Sequence, residues 1–180
     1  KVDASGNFVW AKQIGGNGGD FGNSIALDPL NNLYITGEFS GTVDFNPGAG
    51  IFNLNSFGGS NDAFLAKFDA SGNFIWAAQL GGTMGDIGNA IAIDATGNVC
   101  TVGHFDGTSD FDPGAGTTNL TSAGSSDIFI SKLDGSGNFM WAKHFGSSSF
   151  DFGKAVALDG SGNVFAAGNF SSGADFDPGV

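Results

Sequence analysis

Apolar and polar residues alternate in short runs along this chain, and the same runs return at a fixed interval. Phe8-Val9-Trp10-Ala11, Phe74-Ile75-Trp76-Ala77 and Phe139-Met140-Trp141-Ala142 each follow a turn of Asp, Ser, Gly and Asn. The three tryptophans stand 66 and then 65 residues apart. Alternation with a period of two predicts extended strands that carry Phe and Trp on one face. A near-constant period of that length predicts stacked supersecondary units, none of which can bury its apolar faces alone.

Further strands follow from the same pattern. Leu33, Ile35 and Phe39 alternate with Tyr34, Thr36 and Glu38, and the later copies place Val99, Thr101 and Phe105, then Val164, Ala166 and Phe170. Gly37, Gly103 and Gly168 recur at one point of that strand, where a bulge or a close neighbour is expected. Asp28-Pro29-Leu30-Asn31-Asn32, Asp94-Ala95-Thr96-Gly97-Asn98 and Asp159-Gly160-Ser161-Gly162-Asn163 read as hairpin turns. Each period therefore holds four antiparallel strands in two hairpins, apolar on both faces. That describes a β-propeller blade more closely than a sandwich or barrel, with a parallel β-solenoid second. The expected fold is all-β: a last strand at 1–14, full blades at 20–80 and 86–145, and half a blade at 151–180. Eleven strands, or about 2.75 blades, cannot close a ring, so the expectation is a fragment of a larger propeller whose open edges favour self-association.

Three pieces of the repeat carry a specific resemblance: Gly-Asn-Val-x-x-x-Gly, the stretch Asp-x-Phe-x-x-Lys-[Phe/Leu]-Asp-x-Ser-Gly-Asn-Phe-x-Trp-Ala, and Gly-Asp-x-Gly-x-Ala-x-Ala-[Leu/Ile]-Asp. Together they resemble the bacterial β-propeller repeat family known as SBBP repeats, across essentially the whole chain. The resemblance implies a propeller, often seven-bladed, in secreted or cell-surface bacterial proteins, and no catalytic residues. The chain departs from it by an inserted Asp-Phe-[Asp/Asn]-Pro-Gly loop.

Composition narrows the partners. Formal charge is −12, from six lysines, no arginine and 18 acidic residues of which Glu38 is the only glutamate. So acidic a chain repels nucleic-acid phosphates and anionic membrane surfaces. No apolar run reaches the roughly 18 residues of a membrane span. A signal peptide is expected outside this segment, because Lys1 already lies inside a repeat. Cys100, the only cysteine, allows no intrachain disulfide and reads as a buried thiol.

Candidate chemistry is sparse. Asp44 and Asn46, Asp110 and Asp112, and Asp175 and Asp177 place oxygen donors at alternate positions before a glycine, as a Ca²⁺ loop begins, although no Glu closes the site. The competing reading is a Pro-Gly turn capped by its Asp. Asp20, Asp86 and Asp151 fall in the Gly-rich crossings between blades, where they either form an acidic face near the axis or cap the crossings. Trp10, Trp76 and Trp141 are assigned to the structural core over sugar-stacking platforms, because they recur beside apolar residues. His104 and His144 form no obvious pair. Motifs for nucleophile elbows, zinc proteases and phosphate loops are missing. The functional expectation is a secreted or cell-surface, non-catalytic scaffold or binding module for protein or glycan ligands, with Ca²⁺ as a candidate cofactor. Part of a polysaccharide hydrolase or lyase, and a self-assembling extracellular fibre subunit, are the alternatives.

Overall fold

The structure is a computed structural model and describes residues 1–177. All regular structure among them is β, in thirteen strands. The first blade is the meander β2 (Asp20–Leu27), β3 (Leu33–Ser40), β6 (Asn61–Phe68) and β7 (Phe74–Gly82), each antiparallel to the next. The second is β8 (Asp86–Ile93), β9 (Val99–Asp110), β10 (Asn119–Leu133) and β11 (Phe139–Phe145). The pair β12 (Phe152–Leu158) and β13 (Val164–Asn169) begins a third. This is a propeller segment.

Local chemistry sets the bends. In every hairpin turn of the Asp-x-x-Gly-Asn type the Asp side chain accepts from the backbone two and four residues on, and from the Asn side chain; Asp69 does so with Ser71 and Asn73. The fourth position needs a positive φ, and Gly72, Gly97, Gly137 and Gly162 supply it at 80° to 87°. In the Asp28 turn Asn31 takes the same role at 63°.

Packing follows the expected rule that a blade is covered on both sides. Ala63 to Ala66 of β6 are all buried, as is the whole run 127–133 of β10. One core cluster joins Tyr34, Leu65 and Ala78 of the first blade to Ile91, Val99 and Leu133 of the second. Another joins Ala63 and Leu80 to Phe105, Phe111 and Phe129. The hydrophobic core therefore lies between blades. Where no neighbour covers a blade, the same residue types face water: Phe21, Ile25 and Leu27 of β2 are exposed.

One sequence expectation needs correction. The segment 8–14 forms no strand of a ladder; Phe8 makes one bridge to Val2, and only Gly15 and Gly16, as β1 (Gly15–Gly16), pair further on. Its own blade offers it no adjacent strand among the described residues. The loop carrying Asp44 holds β4 (Thr42–Asp44) and β5 (Asn53–Asn55), an arm that projects from the blade. In the second blade the same arm is continuous with β9 and β10.

Candidate functional site

The chemistry-bearing side chains gather at the seams between blades. Each inner strand bulges after a glycine pair: Gly22 faces Gly37, Gly88 faces Gly103, and Gly153 faces Gly168, with a register shift immediately after. A Cβ on Gly103 would stand 1.9 Å from the Ile87 carbonyl oxygen, so only glycine fits. The bulge re-aims the extra residue outward across the seam. Asn23 Nδ2 donates to Gly88 O at 3.0 Å, and Asn89 Nδ2 donates to Gly153 O at 2.8 Å. Lys154 holds this position in the third copy.

The tryptophans complete the seam at the opposite end. The Trp76 indole lies over Gly137 of the next blade, and its Nε1 donates to Gly135 O at 3.3 Å. Trp10 lies over Gly72 in the same way. Lys67 Nζ donates to Gly135 O at 2.8 Å. Trp141 packs beside the Val102, Ile128 and Ile130 cluster. All three rings are half-buried, so they seal seams instead of filling the centre of a core.

The Asp-Phe-x-Pro-Gly loop is the tip of the arm, and it latches one blade to the one before. Gly15 and Gly16 pair with Asp44 and Val43, Gly81 and Gly82 pair with Asp110 and Ser109, and Gly146 bridges to Asp175. The phenylalanine is the anchor. Phe45 and Phe111 are fully buried, and Phe111 sits 5.3 Å from the Phe105 ring and 4.8 Å from Phe129. Phe45 repeats this against Phe39 and Phe64 at 5.3 and 5.0 Å. The signal for this anchor lies in the sequence, where Phe45, Phe111 and Phe176 recur at intervals of 66 and 65 residues.

Of the six candidate Ca²⁺ ligands, Asp44, Asn46, Asp110, Asp112 and Asp175 accept backbone hydrogen bonds that close the arm. Asp44 Oδ1 accepts from Asn46 N and Phe52 N, both at 2.9 Å, and Asp110 Oδ1 accepts from Asp112 N and Thr118 N. Asn46 and Asp112 accept from Gly48 N and Gly114 N. Asp175 accepts from Asp177 N; Pro178 and Gly179 of that copy lie outside the described residues. The hydrogen bonds from Phe52 and Asn46 hold Asp44 below the usual carboxylate range. Two neighbouring side chains per loop fall short of the six to eight oxygens Ca²⁺ takes.

Asp20, Asp86 and Asp151 do not form an acidic face. Asp86 and Asp151 are fully buried and Asp20 is half-buried. Each caps its crossing: Gly16 N donates to Asp20, Gly82 N to Asp86, and Ser147 N to Asp151, at 2.7 to 2.8 Å. A second set of carboxylates, not singled out from the sequence, meets them. Asp62 of β6 and Asp127 of β10 are fully buried and 65 residues apart. A Cβ on Gly81 would touch both Asp62 and Asp86, at 2.8 to 3.0 Å. Burial pushes Asp62 up to about 6 and Asp86 up to about 7, the latter helped by the neighbouring Asp62 and Asp106 charges. Asp127 is raised by burial as well, with Asp151 adding to the shift.

The histidines also resolve to seams. His104 contacts Asn89 at 3.1 Å and the Phe152 ring at 4.6 Å, and burial lowers it to about 4. His144 stands 3.9 Å from Asp127. Cys100 is buried and pushed up to about 11 by that burial, an unreactive thiol.

Residues 9–38 match the family model described as the SBBP beta-propeller repeat. Over those residues the chain is similar to one SBBP-type β-propeller repeat. The chain is also similar to an uncharacterized WD repeat-containing protein of Acanthamoeba polyphaga mimivirus, 32% identical over 156 residues that cover 82% of this chain and 11% of that protein. It is similar as well to the regulatory protein FlaEY of Caulobacter vibrioides, 26% identical over 141 residues that cover 78% of this chain and 14% of the relative. The chain thus spans a small part of each relative's length.

Proposed function

We propose that this propeller segment is a non-catalytic scaffold that presents one loop face to a protein partner, in a secreted or cell-surface setting. The observation that carries the reading is how the side chains are divided. The seams and turns engage the Asn, Asp and Trp side chains that sequence reasoning marked as chemical, while large apolar groups remain exposed at the end of the blades where the crossings run. Phe57, Met84 and Phe150 are each at least half exposed there. The loop after Phe57 packs on Thr83, and Phe150 bridges to Ser126, so these groups stand on a braced surface. Exposed apolar groups on a rigid frame are what a protein interface uses. With a net charge of −12, the complementary partner carries a basic rim. Glycan stacking on the tryptophans is disfavoured because Trp10 and Trp76 already lie on glycines of the next blade.

The test places a photo-crosslinking residue at position 84, and as a control at Leu30, an exposed hairpin residue at the other end of the blade. A discrete protein adduct outside the host cell from position 84 alone supports the reading. Equal labelling from both positions, or retention on a polysaccharide column with no protein adduct, defeats it.

Self-association has its own support. Phe21, Ile25 and Leu27 leave one blade face uncovered, and Phe165 is exposed on β13. Sedimentation at micromolar concentration decides it: a persistent monomer rejects association through these faces.

A further inference from the structure

The seam between the two complete blades contains a charge problem that the fold has to solve. Asp62 and Asp86 are both fully buried, and both reach the space over Gly81, which puts them within roughly 6 Å of each other, the range of strong like-charge coupling. Asp86 is well supplied with donors, Gly82 N at 2.8 Å and Ser109 Oγ at 2.6 Å. Asp62 Oδ2 accepts from Phe57 N and Gln79 Nε2. Asp62 Oδ1 is buried with no partner. The charged groups that act on the pair are all acidic, namely the two carboxylates themselves and Asp106 of β9. Two anions buried together in a seam are strongly unfavourable, and an orphan carboxylate oxygen adds a desolvation cost.

The next seam repeats the arrangement with one difference. Asp127 and Asp151 occupy the places of Asp62 and Asp86, Asp127 Oδ1 is again buried without a partner, and both residues are fully buried. His144 stands at the position of Gln79, 65 residues on, and its Nε2 lies 3.9 Å from Asp127 Oδ2. The groups acting on Asp127 are His144 and Asp151. A glutamine can only donate hydrogen bonds to a carboxylate; a histidine can also bring positive charge.

We infer that the first seam is closed by a proton shared between the Asp62 and Asp86 carboxylates that meet over Gly81, and that at the second seam the His144 ring, 3.9 Å from Asp127, stands in the place of Gln79 as the partner of the buried pair. The first pair becomes a single anion. The consequence is a blade joint that tightens in acid and loosens as the solution turns alkaline. Gln79 and His144 are the positions that set each joint's response.

The experiment is urea unfolding of the 180-residue chain at a series of pH values from 5 to 8.5, for wild type and Asp62→Asn, in which the amide mimics the protonated acid. Between the ordinary carboxylate range and the pair's own titration, the native state holds one proton more than the unfolded chain. The wild-type unfolding constant is therefore expected to rise about tenfold per pH unit there. Asp62→Asn removes that slope and is the more stable of the two at pH 8. An unchanged slope in the variant overturns the inference. Stabilisation of wild type at pH 8 by added Na⁺ or Ca²⁺, absent from Asp62→Asn, also overturns it, because the seam then holds a metal ion in the proton's place. Should Asp62→Asn fail to fold, carboxyl ¹³C shifts of the wild-type protein decide the matter. One aspartate pair titrating above pH 5.5 supports the shared proton, and all aspartates titrating below pH 5 refute it.

Discussion

Truncation of the arm's anchor, Phe111→Ala, tests the claim that the inserted loop exists to join blades. The side chain is fully buried between Phe105 and Phe129. An aromatic of this kind buries about 150 to 250 Å², which at about 25 cal/mol per Å² is of order 4 to 6 kcal/mol as an upper bound. Alanine retains part of that contact and the cavity relaxes in part, so a loss of about 3 to 5 kcal/mol is expected. With a urea slope of about 2 kcal/mol per M, the unfolding midpoint falls by roughly 2 M. The third repeat supplies an internal control. Phe176 occupies the same place in its loop but is 59% exposed, with the Phe170 ring 4.7 Å away. Phe176→Ala is expected to cost about 1 kcal/mol or less, little more than the loss of one ring pair. Urea unfolding monitored by tryptophan fluorescence measures both. Equal midpoints for the two variants would refute the latch, because the loop would then contribute nothing through its buried phenylalanine.

Other substitutions probe the remaining parts of the seam. Gly103→Ala drives a Cβ to 1.9 Å from the Ile87 carbonyl and is expected to unfold the second blade, whereas Gly160→Ala, which meets nothing within 4 Å, leaves the thermal midpoint within a degree or two; circular dichroism melts compare them. Asn89→Ala removes the donor to Gly153 O across the seam, at an expected cost of about 1 to 2 kcal/mol by urea titration. Addition of millimolar Ca²⁺ to chelator-treated protein is expected to leave the melting temperature unchanged, since the arm carboxylates are already committed to backbone amides; a rise of several degrees would show that the arms do take the ion.

Architecture was legible because it rests on periodicity. The Trp10, Trp76 and Trp141 interval and the alternating middle strands require blades covered on both faces, and the run 127–133, buried throughout, is what such stacking produces. The glycine at 37, 103 and 168 was legible as a point of bulge or close approach; it is the close approach, and the bulge lies on the facing strand after Gly22, Gly88 and Gly153. The roles of the aspartates were not legible. Asp44 and Asp86 both lie in glycine-containing connections, yet one closes a partly exposed turn and the other is fully buried. That distinction depends on what folds over the crossing, Ser109 of the same blade and Asp62 of the preceding one for Asp86. Phe45 and Phe111 were hidden by their polar surroundings, and only the arm's reach to the preceding Gly-Gly pair explains their burial.

The acidic composition itself acquires a structural meaning from this division. The hairpin aspartates are held below their ordinary range; Asp69, for example, is lowered by the backbone and side-chain amides of Asn73. Such a group stabilises the fold above its unfolded titration and loses that contribution as pH falls through its folded value. The seam aspartates work in the opposite sense. Asp62 and Asp86, raised by burial to about 6 and about 7, contribute fully below the ordinary carboxylate range and lose that contribution as pH climbs through those values. The turns therefore fail in acid and the seams weaken as pH rises above the ordinary carboxylate range, which places the most stable condition near about pH 4. A chain with a net charge of −12 would by repulsion alone be expected to gain from acid down to its isoelectric point. The two accounts separate in salt: screening at 1 M NaCl suppresses general repulsion but leaves buried pairs largely untouched, so a decline from about pH 5 to 7 that survives high salt belongs to the seams.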